Sequence, residues 1–111
     1  MVDKISLSEL TDMASNMFGS IVKGVVDLQN QSLVVDADMH ADEEQFLIDR
    51  GSKQEDLWGI NLHPDKYHSN EFVEFDSMIN IRPRQHNPSR NVLDDEIRRQ
   101  IITLVATKVE D

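Results

Sequence analysis

Apolar positions along this chain alternate between two rhythms, one near 3.6 residues and one of 2. Leu7, Leu10, Met13, Ala14 and Met17 recur at helical spacing. Ser6-Leu7-Ser8-Glu9 before them fits a capping box, and Gly19 after them is placed to stop the helix. Ile21–Leu28 then alternates as a strand, with Val22, Gly24, Val26 and Leu28 on one face and Lys23, Val25 and Asp27 on the other. Gln29–Gln31 reads as a turn, and Leu33–Asp38 as the return strand of a hairpin. A second helix is predicted over His40–Arg50, with Asp38 or Asp42 as its cap and Gly51 as its stop. Leu57–Leu62 is a further strand, after a polar connector over 52–56. His63–Asn70 has loop composition.

The longest alternation follows. Val73, Phe75, Ser77, Ile79 and Ile81 point one way, and Glu74, Asp76, Met78, Asn80 and Arg82 the other. This predicts one long strand with an apolar and a polar face, ended by Pro83, which has no N–H for a ladder. After a loop to Asn91, Asp94 caps a last helix whose buried side is Ile97, Ile101, Leu104 and Val105. The order αββαββα predicts a single α+β domain over residues 1–111. Its expected architecture is a two-layer sandwich, an antiparallel four-stranded sheet with the helices on one face.

Composition narrows the function. The 111 residues contain no cysteine, which excludes a disulfide framework, a thiolate metal site and a catalytic thiol. No apolar run reaches the ~18 residues of a membrane span, and the N-terminus lacks a signal-type apolar core; a cytoplasmic protein with no membrane partner is expected. The net charge of −10 is uneven: residues 1–81 carry 16 acids and 5 bases, residues 82–111 carry 6 bases and 5 acids. The acidic field disfavours nucleic acid. It leaves room for a protein partner or a small anionic ligand at the basic end.

Three constellations carry candidate chemistry. Asp36, Asp38 and His40 project to one side of an extended chain and match the donor types of a divalent cation; the simpler alternative is a solvated strand end with a helix cap. Asn61, Glu74, Asp76 and Asn80, with Arg82, share the polar sheet face, where crowded carboxylates raise each other's pKa unless they merely form surface ion pairs. The loop from Arg82 through Arg84, His86 and Asn87 to Arg90 offers guanidinium forks that match phosphate or carboxylate, stiffened by two prolines. Its alternative is pairing with the chain's own acids.

The segments HADEEQFLIDRGSKQEDLWGINLHPD, EFVEFDSMINIRP and SRNVLDDEIRRQI resemble a small family of prokaryotic proteins known only as a domain of unknown function. The resemblance covers most of the chain, with GSKQEDLWGINL and FDSMINIRP the distinctive runs, and implies no activity or catalytic residue. No HExxH, P-loop, GxGxxG or GxSxG occurs. The expectation is a non-enzymatic binding or regulatory module with an anion or acidic-partner site in the Arg82–Arg90 loop, no cofactor, and homodimerisation through a sheet face or edge. The alternative is a metal-assisted hydrolase or phosphate-ester enzyme using Asp36, Asp38, His40 and the arginine loop.

Overall fold

The computed structural model describes residues 3–16, 19–35 and 37–111. Met17 of the first predicted helix and Asp36 of the expected metal set lie outside the described residues. The elements are β1 (Ile5–Ser6), α1 (Leu7–Asn16), β2 (Val22–Asp27), β3 (Ser32–Val34), α2 (His40–Asp49), β4 (Leu57–Leu62), β5 (Val73–Glu74), α3 (Asp95–Lys108) and β6 (Val109–Glu110), with short 3-10 turns between. The expected α+β class and four-stranded antiparallel sheet hold; the strands lie in the order β3-β2-β4-β5. A two-residue parallel bridge between β1 and β6, which sequence pattern did not signal, ties the two ends of the chain together.

Helix boundaries follow local chemistry. The Glu9 N–H donates to Ser6 Oγ at 3.1 Å, and Asp94 Oδ1 accepts from Glu96 and Ile97. Gly19 and Gly51 have φ of +83° and +99°, the left-handed stops their positions required. α2 differs from expectation: its cap is Met39, with no side-chain cap bond from Asp38 or Asp42, and the backbone N–H of Asp42 bonds the Met39 carbonyl instead.

The helices do not all lie on one face. Leu10 and Ala14 of α1 and Ile101, Leu104 and Val105 of α3 pack with Val22, Val26, Leu33, Trp58, Ile60 and Leu62. On the opposite side Leu47 of α2 joins Val25, Val34 and Leu57, with Ile79 against them. The sheet is therefore covered on both faces, which is why every residue of β4 is buried. The second face was hidden because Val25, Val34 and Leu57 are single apolar residues on otherwise polar sides of their strands.

The long strand is the main correction. Pairing of β5 with β4 runs only through Leu62↔Val73 and Asn61↔Glu74. Met78–Asn80 is a 3-10 turn, Met78 and Ile81 are exposed, and Asn80 is wholly buried. The segment leaves the ladder and crosses the face of β4 at Gly59, the one strand position without a side chain in its path. A Cβ there would stand 2.6 Å from Ser77 Cβ. Side chains then replace the missing strand. The Gly59 N–H donates to Asn80 Oδ1 at 2.8 Å and Asn80 Nδ2 donates to the Gly59 carbonyl at 2.9 Å. One residue pair further, Arg82 donates to the Leu57 carbonyl. Period-two alternation predicts a strand, but it carries no information about side chains that imitate one.

Among the described residues no helix is long and apolar enough to cross a membrane.

Candidate functional site

The expected anion loop is folded by its own polar groups. Residues 82–87 form a tight hairpin in which Arg82 and Asn87 exchange backbone hydrogen bonds at 2.7 and 3.0 Å, with His86 at its tip at φ +59°. Arg82 is 8% exposed. Its Nε donates to the Ile79 carbonyl, one terminal nitrogen to the Gln54 carbonyl and Gln85 Oε1, and the other to the Leu57 carbonyl. Glu44 lies 3.9 Å away and the Trp58 ring 4.7 Å below the guanidinium. Burial lowers the Arg82 pKa and Glu44 opposes that shift. Asn87 is buried too, its Nδ2 within reach of the Asn80, Ser89 and Asn91 carbonyls and its Oδ1 accepting from the Leu93 N–H. Two of the five expected anion ligands thus serve the loop itself. Arg84 and His86 are exposed at its rim, and Arg90 forms an exposed ion pair with Asp76 at 2.7 Å.

The expected polar sheet face divides in the same way. Asn80 is the strand substitute described above. Asn61 Nδ2 donates to Glu74 Oε1 at 2.8 Å and to the Asp76 carbonyl at 3.2 Å. His63 Nε2 stands 3.5 Å from the same Glu74 oxygen.

His40, from the expected metal set, joins this patch. A carbonyl only accepts, so His40 Nε2 carries the proton and donates to the Ile60 carbonyl at 2.7 Å. Burial lowers the His40 pKa below its usual 6.5, with Lys23 adding to the shift and the Ile60 carbonyl, Asp76 and Asn61 opposing it. Asp38 is exposed. Among the described residues no three His, Asp or Glu side chains gather as a metal-binding group.

A different surface has the shape of a binding site. Phe72, Val73 and Phe75, on and beside β5, face Ile102, Val105 and Ala106 of α3 across an open groove of about 700 Å³. Its lining is mainly apolar, and Ile102 is half exposed within it. Tyr67 and His68 form one end, where His68 lies 3.5 Å from Asp111 and the Tyr67 hydroxyl reaches the Val109 carbonyl. Arg98 lies along the groove over Phe75, its head held by the Val92 carbonyl and Asn91 Oδ1.

Sequence reasoning missed this groove because its walls come from segments about 30 residues apart. One signal was present: Ile102 is apolar but stands off the buried stripe Ile97-Ile101-Leu104-Val105.

The chain belongs to the family described as a protein of unknown function (DUF5674), whose model matches residues 1–108 of 111. Compared with curated proteins and with solved structures, it matches none.

Proposed function

We propose that this member of the family is a non-catalytic binding module whose ligand surface is the groove between β5 and α3. The observation that supports this reading is a mainly apolar concavity with half-exposed Ile102 in it and polar groups only at its ends and along one side. Sites of that composition bind by desolvating apolar surface, with a few polar groups fixing orientation. The basic loop, by contrast, retains only Arg84, His86 and the ion-paired Arg90 for a small anion or acidic partner.

The test is saturable binding of the neutral dye Nile red, read by fluorescence. Ile102→Glu is expected to weaken it about tenfold or more by placing a charge where the apolar ligand lies. The half-exposed position lets that variant keep the parent melting temperature. Arg84→Ala is expected to leave dye binding unchanged. Equal dye affinity in parent and Ile102→Glu would reject the groove. Saturable phosphate binding lost in Arg84→Ala would return the function to the loop.

A further inference from the structure

We propose that the open edge of β5, with the groove beside it, takes an extended peptide segment in which apolar residues alternate with lysine or arginine. This rests on the groove being the binding surface and names its occupant.

The hydrogen-bond parity of β5 supplies the first reason. The His63 N–H donates to the Phe72 carbonyl at 2.8 Å, so Phe72 faces β4, and the register puts Glu74 on that same side against Asn61. Adjacent residues of a strand direct their backbone groups to opposite edges. The N–H and C=O of Val73 therefore point away from β4. Ser77, extended at φ −157°, lies past the ladder where the segment crosses Gly59, and its N–H donates to the Arg90 carbonyl at 3.0 Å. Among the described residues no backbone bond closes that edge at Val73.

Side-chain placement supplies the second reason. Val73 and Phe75 lie on the groove side of the sheet, packed against its main core, and Glu74 lies on the other side against Asn61. A strand added along β5 would alternate likewise. One set of its side chains would enter the groove toward Ile102. The other set would emerge beside Glu74 and Asp76, both about half exposed.

Charge selects among strands. Glu71, Glu74 and Asp76 stand on and beside β5 in a chain of net charge −10, while the groove lining itself holds one acid, Asp111, and one arginine, Arg98. A second copy of this edge, Glu71-Phe72-Val73-Glu74-Phe75-Asp76, paired antiparallel about Glu74 would set that acid opposite its own copy, which destabilises a cross-strand pair. The same acids that discourage self-pairing favour a cationic partner. This is strand addition of the peptide-recognition kind, with backbone bonds for affinity and alternate side chains for selectivity.

A short acetylated and amidated peptide alternating lysine and valine is the probe, followed by amide and methyl NMR on the full chain. Shifts are expected at Val73, Phe75 and Ile102. Replacing its lysines by glutamate is expected to weaken binding about tenfold or more, and added salt to weaken it progressively. N-methylation tests the backbone bonds without touching the protein. Methylating alternate residues of one parity is expected to lose about tenfold, and of the other parity almost nothing. Val73→Pro removes an outward N–H, a change edge strands tolerate, and is expected to weaken peptide binding about tenfold or more.

Loss that ignores methylation parity, or equal binding of the glutamate peptide, would overturn the proposal. So would a concentration-dependent doubling of the 12.8 kDa mass that the peptide does not reverse, since the occupant would then be a second copy. Nile red binding without peptide binding would sink the strand alone; failure of both would sink the groove as well.

Discussion

Two stretches meet at the end of the short strand β5, and they use their residues in opposite ways. Residues 77–90 are rich in arginine, asparagine and serine, yet Asn80, Arg82 and Asn87 turn inward. Asn80 completes β4 at Gly59, Arg82 gathers the carbonyls of Gln54, Leu57 and Ile79, and Asn87 closes the hairpin. Residues 67–75 contain four aromatic rings or imidazoles, composition that suggests core, yet they leave a groove open to solvent. Polarity in a sequence marks where hydrogen bonds will form, not whether their partners come from outside. A segment leaving a sheet must satisfy the backbone it abandons, and here the polar loop supplies those partners.

The comparison is broken most directly at Asn80 and Arg82. Asn80→Ala would strand a buried N–H and C=O of Gly59, and Arg82→Met would strand buried carbonyls. Each is expected to lower unfolding free energy by about 2–4 kcal/mol in urea titrations. A loss below about 0.5 kcal/mol in either would mean that the loop is a surface feature after all.

Gly59→Ala sharpens the same contrast by geometry alone. The added methyl meets Ser77, so a loss of about 1–3 kcal/mol is expected. Ser77→Gly in the same chain should recover part of it, because the clash is with Ser77 Cβ and Oγ. A double-mutant cycle with no coupling would contradict the close crossing.

The patch around His40 predicts a pH effect. Its folded pKa is lowered, so the unfolded chain binds the proton more readily. Stability contributed by neutral His40 is complete above the unfolded value near 6.5 and falls as pH drops from there toward the lowered folded value. His40→Gln should flatten the urea-midpoint profile across that window. An unchanged profile would assign the acid sensitivity elsewhere.

The smallest effect belongs to Arg84. Exposed at the loop rim, its replacement by alanine should shift stability by less than about 0.5 kcal/mol, against several for its neighbour two residues earlier. A large shift would erase the distinction between the two arginines.

The caps of α1 and α3, the glycine stops, the β2–β4 faces and the α+β class were legible because each depends on residues within a few positions of one another. Ser6, Asp94, Gly19 and Gly51 act locally, and the alternation Trp58-Ile60-Leu62 against Leu57-Gly59-Asn61 survives any context. Val73 to Arg82 was not legible, since alternation there is equally served by a strand or by a crossing whose asparagine and arginine stand in for one. Tertiary structure alone decided which arginine is buried, which face α2 covers and where apolar surface remains open. Those outcomes depend on which distant carbonyls and side chains come within about 3 Å, a distance that sequence neighbours do not set.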